Sequence, residues 1–504
     1  MTNTSVMPRL GRLKQAGRRL LVRANGYRLG ERPTVRHWAD HIDDLPLFVQ
    51  QSPVAMRYLR LLGPLAWDAL PERERCLNGN PRPVTYATFA AACLVKLDQQ
   101  FVSMGALRRY LVEHPALVWL CGFPLVASRH FPWGFDVNAS LPTQRHFTRM
   151  LRRLPNAALQ FLLDSSVALL QATLAALGIT LGVCISLDTK HILAWVKENN
   201  PKTYLKHGER YDKNNQPKGD PDCRLGCKRR HNQRVSSEEP PPTPLDNPVP
   251  ASTISVGEYY WGYASGVVAT KVPGWGEFVL AELTQPFNQS DVSYFHPLMT
   301  DVERRLGFRP RYGALDAAYD AFYIYEYFHR DDGDGFAAVP FSQRGGYKDR
   351  QFSPEGWPLC QAGLPMPLKY TFWSKTTLIE HERGRHVCPL LFPEETGEAC
   401  PIQHKNWPKG CTTTIPTSVG ARIRYQLDRD GEAYKQVYKQ RTATERINSQ
   451  AVALGIENPK LRNGKAITNQ NTLIYVLINL RALHRVRRKK AARAAQVLAD
   501  TSAA

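Results

Sequence analysis

Between residues 37 and 180, apolar positions recur at three- and four-residue spacing with few β-branched clusters, which predicts a mostly helical segment. Within it, "SLPTQRHFTRMLRRLP" (140–155) has one proline near its start and another after its end, bracketing a helix. Phe147, Leu151 and Leu154 fall on one face by the 3.6-residue period, and Arg145, Arg149 and Arg152 on the opposite face. Such a helix either presents its arginines to a DNA backbone or groove or carries a plain solvated face. The longest apolar stretch, "FLLDSSVALLQATLAALGI" (161–179), is interrupted by Asp164, two serines and Gln171. It is read as a buried helix rather than a membrane span.

At residue 181 the periodicity changes. "LGVCISLD" (181–188) is a short β-rich run ending on Asp188. Residues 199–253 are polar, and "SSEEPPPTPLDNPVPAST" (236–253) has the composition of a flexible loop. Strands are then expected at 253–272, 277–284, 310–316 and 335–341, with helices at 291–307, stopped by Gly307, and at 321–331. Residues 342–430 look like an irregular insertion, and two helices (432–455 and 468–494) close the chain. Strands followed by alternating helix and strand predict one mixed α/β sheet with flanking helices. An all-α segment precedes it and the long insertion interrupts it. The expected divisions are a basic arm (1–36), a helical domain (37–180), the first part of a core (181–341), the insertion (342–430), the core's closing helices (431–494) and a tail (495–504).

Charge narrows the partners. Of 504 residues, 66 are Lys or Arg and 45 are Asp or Glu, a net +21 that favours a polyanion, nucleic acid before membrane. Basic residues cluster at 1–36 and in "RALHRVRRKKAAR" (481–493), as DNA contacts or as solvated tails. The N-terminus shows no secretory pattern, so a cytoplasmic, nucleoid-associated location is expected. Ten cysteines in such a chain argue against a disulfide framework. Cys76, Cys93, Cys121 and Cys184 sit among apolar neighbours as core residues. Cys223 and Cys227 precede a histidine in a Cys-x3-Cys-x3-His run, and Cys360, Cys388, Cys400 and Cys411 lie near His381, His386 and His404. Four thiolates suit a structural zinc ion. With no Cys-x2-Cys pair, scattered reduced cysteines are the competing reading.

Two aspartates raise the central question. Asp188 and Asp316 each end an expected strand, and functional groups gather at the carboxyl ends of parallel strands. Oxygen-only ligands suit Mg²⁺ or Mn²⁺. Asp320, four residues after Asp316, is read as the N-cap of the following helix. A third acid is available in "YKQVYKQRTATERINSQAVAL" (434–454), where Tyr438, Arg441 and Glu445 share one face and Ala443, Ile447, Ala451 and Leu454 another. Arg441 suits a phosphate, or pairs with Glu445 as an ordinary helix ion pair. Tyr438 either stacks on a ligand or packs.

These motifs resemble DDE-type transposases of bacterial insertion sequences. "ISLDTKHI" (185–192) is similar to the first-aspartate strand, "GALDAAYDAFYIYEYF" (313–328) to the second, and "YKQRTATERINSQ" (438–450) to the Tyr-x2-Arg-x3-Glu signature of the third acid. "LPTQRHFTRMLRRL" is similar to a run in the family's helical N-terminal domain, and the likeness extends over roughly residues 80–490. The resemblance implies a ribonuclease H-like core in which Asp188, Asp316 and Glu445 hold two Mg²⁺ ions, with Mn²⁺ as substitute. It implies DNA contacts by Tyr438, Arg441, Lys190, Arg145, Arg149 and Arg152, and a homodimer pairing two element ends. Water would free a 3′-hydroxyl, which would then attack target DNA. The family often has a lysine where this chain has Val452; any DNA contact it makes there is either absent here or supplied elsewhere, with Arg446 as the candidate. A nuclease that never joins strands, and a non-catalytic DNA-binding protein of transposase descent, remain the alternatives.

Overall fold

The computed structural model describes residues 35–73, 84–203, 205, 210–229, 257–330, 333–342, 350–375, 378–403, 407 and 409–503. Most of the expected basic arm, residues 230–253 of the expected flexible loop, Cys76 and His404 lie outside them. The first third is helical: α1 (Pro53–Leu62), α2 (Tyr86–Asp98), α3 (Met104–Glu113), α4 (Gln144–Arg153) and α5 (Asn156–Ala175). Ser52, Thr85, Ser103 and Thr143 each accept a backbone N–H three residues on, capping α1 to α4. Phe147, Leu151 and Leu154 are buried, and Arg145, Arg149 and Arg152 are exposed. Helix α5 is long and apolar enough, by length and composition, to cross a membrane. Its buried leucines instead join two cores, and its Asp164 takes ion pairs from Arg304 (2.7 Å) and Arg305 (2.5 Å).

Six strands make the main sheet: β1 (Cys184–Leu193), β2 (Arg224–Arg229), β3 (Gly257–Val272), β4 (Gly276–Pro286), β5 (Tyr312–Leu315) and β6 (Phe336–Ala338). Its order is β2–β3–β1–β5–β6, and β4 also pairs with β3, which gives a second path β4–β3–β1–β5–β6. β3 is antiparallel to β1, β2 and β4, and β5 and β6 run parallel to β1. Helix α6 (Phe295–Leu306) links β4 to β5 and ends at Gly307, whose φ of 78° is the left-handed conformation that glycine adopts without strain. Helix α7 (Phe322–Phe328) links β5 to β6. Gly313 in β5 lets the Phe328 ring lie against the strand; a Cβ there would come 2.5 Å from Phe328 Cζ.

Three expectations are corrected here. Strand β1 does not end at Asp188 but runs five residues further, because the polar Thr189–His191 stretch pairs with Ser265, Gly266 and Ala264 of β3. Part of the expected flexible loop is strand β2, which pairs with Gly257–Gly262. The insertion is not wholly irregular: β7 (Leu368–Ser374), β8 (His381–Val387) and β9 (Thr412–Pro416) form an antiparallel sheet, followed by α8 (Val419–Gln426). The closing helices are α9 (Glu432–Tyr438), a 3-10 turn (Lys439–Arg441), α10 (Thr442–Ala453) and the 40-residue α11 (Gly464–Ala503).

Helix α11 ties the layers together. Its buried Ile467–Leu480 stretch joins the helical core, and Ala482, Leu483 and Val486 join the core on the other side of the sheet. Arg481 reaches the buried Asp98 (2.6 Å), which Arg57 also meets (2.5 Å). Asn479 bridges the backbone of Val279 in β4, and Thr472 donates to the buried Glu282. Gln160 of α5 also donates to Glu282, at 2.7 Å. Burial outweighs these donors and pushes the Glu282 carboxyl up to about 7 from 4.5. The folded value lies above the unfolded one, so ionising Glu282 costs stability. The penalty is absent below pH 4.5 and complete above about pH 7. Glu282→Gln is expected to flatten that slope and to exceed wild type at pH 8 by up to about 3 kcal/mol, read from urea unfolding at pH 5 and pH 8.

Candidate active site

Strand pairing positions the first two acids. β1 and β5 are parallel with Leu187 opposite Leu315, so Asp188 and Asp316 follow one another's register at neighbouring strand positions. By alternation, Ile185 and Leu187 enter one core while Ser186 and Asp188 face the other side, where α10 packs. Asp188 Oδ1 accepts the Thr189 N–H (2.8 Å), and Oδ2 accepts Asn448 Nδ2 from α10 (3.0 Å). Asp316 Oδ1 accepts the Ala318 N–H (2.8 Å), capping a short 3-10 turn. Burial, and then the neighbouring Asp316 charge, push the Asp188 carboxyl up to about 6; the Arg441 guanidinium offsets part of this.

Asp291 joins this acidic group. It accepts the Thr189 hydroxyl (2.7 Å), and its charge acts on both Asp188 and the buried Tyr319. Sequence reading missed it, since an acid opening a helical turn looks like an ordinary cap. It also missed Asn448, three residues after Glu445 and so on the same helix face, which was a readable signal.

Glu445 occupies the first turn of α10, half-exposed, and pairs with Arg441 (Nη2–Oε1 2.6 Å). Three residues, about 4.5 Å along the axis, separate it from Asn448. It thus lies one turn from the side chain that touches Asp188, but it is turned to Arg441 rather than to the aspartates. Tyr438, Arg441 and Glu445 do not share one continuous α-helix, because the 3-10 turn intervenes. Arg441 nonetheless lies over the Tyr438 ring (5.8 Å), which stacks on Tyr434. Ala443, Ile447, Ala451 and Leu454 are buried.

No family model, curated protein or solved structure matches the chain. What the site can do is read from its geometry. Among the described residues, no group of three or more His, Cys, Asp or Glu side chains is arranged to hold a metal ion. The aspartate region nevertheless suits a hard cation in kind. The Asp316 charge acts on Asp188 at the neighbouring strand position and is only partly offset by Arg441, and the Asn448 Oδ1 and Tyr319 hydroxyl beside them are buried without a hydrogen-bond partner. In arrangement it falls one carboxylate short, the one Arg441 holds.

The other candidates separate. Lys190 pairs with Glu457 (2.5 Å), and Arg446 with Glu277 (2.6 Å). Arg149 contacts His146 (2.6 Å). Asp320 is not the N-cap of α7, whose N-cap is Ala321 with no side-chain bond. Its carboxylate instead turns inward to Arg424, Tyr325 and the Ser342 N–H. Cys223 is buried and donates to the Asp220 carbonyl (3.2 Å), while Cys227 lies on β2. Cys388 and Cys400 share a small apolar cluster with Cys411 against it. Burial, and then the neighbouring Cys360 and Cys388 thiols, push Cys411 up to about 12.

Proposed function

We propose that the chain is a DDE-type transposase that binds the terminal repeats of its element and catalyses metal-dependent DNA cleavage and strand transfer. The observation that carries this reading is the parallel register of β1 and β5, which sets Asp188 beside Asp316 although 128 residues separate them in sequence. The path β4–β3–β1–β5–β6 through the sheet, three antiparallel strands then two parallel, supports a ribonuclease H-like core. Helix α10, bringing Asn448 onto Asp188 with Glu445 one turn away, supports the third acid.

Asp188, Asp316 and Glu445 would hold the Mg²⁺ ions, which supply Lewis acidity for phosphodiester chemistry. The chain's own groups do the rest. Asn448 fixes the Asp188 carboxylate. Arg441, exchanging Glu445 for a phosphate oxygen, offers its planar fork to the scissile strand and releases the glutamate. Tyr438 backs Arg441. The exposed arginines of α4 hold duplex backbone, which positions without reading sequence. Water attacks the phosphodiester and frees a 3′-hydroxyl; that oxygen then attacks target DNA, expelling a strand 3′-oxygen there. The protein works as a homodimer holding two ends, in the cytoplasm at the nucleoid.

Supplying pre-cleaved ends with a target plasmid and Mg²⁺ tests this. Joined products are expected. Nicking without joining would favour a hydrolytic nuclease, and DNA binding without nicking on any end sequence would favour a non-catalytic DNA-binding protein.

A further inference from the structure

The hydrophobic cluster of the insertion is too small for the sheet it supports. Its buried members are Cys388, Leu390 and Cys400, and Leu364, Trp407 and Cys411 are among the side chains packed against them. Tyr370, Phe372 and Trp373 of β7 add nothing to it, because all three are exposed. A cluster of this size does not offset the entropy of ordering three strands and their loops. Small sheets with so little apolar burial are held by disulfides or by a metal ion. Two of the three buried members are cysteines, and Cys360, Cys388, Cys400 and Cys411 are all free thiols.

The backbone brings these four cysteines to one end of the small sheet. β8 and β9 are antiparallel, with Val387 opposite Thr412. Cys388 and Cys411 are the next residues outward on the two strands, which makes them cross-strand neighbours. Gly410 permits that approach: its φ is 75°, and a Cβ there would come 2.9 Å from Cys388 Cβ and 3.8 Å from its sulfur. Cys400 joins Cys388 in the buried cluster. Cys360 comes from a separate hairpin, in which Leu359 pairs with Pro365 and the Cys360 N–H donates to the Leu364 carbonyl (2.9 Å). Leu364 packs the tip of that hairpin onto the same cluster.

Three of the four cysteines open a turn of the same build. The N–H groups of Gly363, Leu391 and Gln403 donate to the carbonyls of Cys360, Cys388 and Cys400, at 3.0, 3.2 and 3.1 Å. Each turn reverses the chain just after its cysteine, which leaves the thiol at a loop end and not inside a strand ladder.

We propose that Cys360, Cys388, Cys400 and Cys411 bind one structural zinc ion that staples the insertion. Four sulfur ligands select a soft or borderline cation over Mg²⁺, and a closed set of four suits a structural site. In this structure the sulfurs do not surround a common point. Each turns about a single bond, χ1, so the ligands close by side-chain rotation on a backbone already in place. Every thiol that binds gives its proton to solvent, so Zn²⁺ and four thiols become a tetrathiolate of charge −2 and four protons. Cys411 leads directly into β9 and then α8, whose Arg424 meets Asp320. The ion thus steadies the part of the insertion nearest the Asp316 turn, whatever reaction the chain catalyses.

The test is metal analysis of the full chain, purified in reducing buffer without chelator from cells grown with zinc. About one zinc ion per chain is expected. Cys388→Ser and Cys411→Ser should each carry less than about a tenth of that, while Cys227→Ser, on β2, keeps the wild-type content. A serine variant can also lose metal by misfolding, so the wild-type chain supplies a second measurement. Stripped by chelator and refilled with Co²⁺, it should show the visible absorption of a tetrahedral cobalt–thiolate site. Proteolysis between Cys360 and Cys411 should be fast in the stripped protein and slow in the refilled one. Zinc below about a tenth of an ion per chain, with no cobalt–thiolate absorption, would overturn the assignment in favour of scattered reduced cysteines. Full zinc content in both serine variants would overturn it by placing the ion elsewhere. Iron in place of zinc would overturn it in favour of an iron–sulfur cluster.

Discussion

Asp188→Asn and Asp316→Asn are each expected to lower Mg²⁺-dependent cleavage by about 10²–10³ or more, the scale of losing one electrostatic contact to the reacting group, while DNA binding stays at the wild-type level. Stability should move the other way. In the metal-free protein, burial and the Asp316 charge push Asp188 up to about 6, so ionised Asp188 is a cost at pH 8. The neutral amide removes that cost. It still accepts the Thr189 N–H, and Asn448 can turn its unpartnered Oδ1 to the new amide. A melting temperature at or above wild type, with cleavage lost, would separate a site residue from a merely structural one. Asn448→Ala acts through the orientation of Asp188 and should cost about 10–100-fold, mainly by raising the Mg²⁺ concentration at half-maximal rate. Glu445→Gln should abolish cleavage with DNA affinity retained. Wild-type turnover in any of the three carboxylate variants would remove that residue from the site.

Much of this site was legible one residue at a time, and its assembly was not. The arginine face of α4 and the apolar stripe of α10 follow from helical periodicity, because each element reports its own buried side. The two aspartates stood out as acids at the ends of apolar runs. That Leu187 lies opposite Leu315 is a long-range register which no local pattern encodes. Strand β1 continues past Asp188 through Thr, Lys and His, polar residues that extend no apolar run and join the strand only because β3 supplies the pairing partner. Strand β7 was unreadable for a different reason: Leu368, Tyr370, Phe372 and Trp373 are all exposed, so the strand has no buried face to impose an alternation. Glu445 was legible as a candidate, and its engagement with Arg441 was visible as i,i+4 spacing. Spacing alone does not say whether that pair is the resting state of a catalytic group or its whole purpose.

Asp320→Ala is expected to destabilise the fold by about 3–5 kcal/mol, the cost of stranding one member of a buried ion pair. The Asp320 side chain is fully buried, and Arg424 meets it through both Nε (2.7 Å) and Nη2. Tyr325 Oη and the Ser342 N–H complete its donors, each at 2.8 Å. Arg424 belongs to α8, near the C-terminal end of the insertion; burial disfavours its charge, but the Asp320 carboxylate outweighs this and pushes the guanidinium further up from an already high value. The pair thus fastens the far end of the insertion to the turn that carries Asp316, four residues before Asp320. An N-cap aspartate would behave differently: its loss would cost about 1 kcal/mol and Arg424→Ala would be nearly silent. Here Arg424→Ala should be as damaging as Asp320→Ala, because it leaves a carboxylate buried without its cation. The double variant should cost less than the sum of the two. Urea unfolding of the four proteins measures this coupling. Additive losses would mean that Asp320 and Arg424 act separately, and that the insertion is not tied through them to the Asp316 turn.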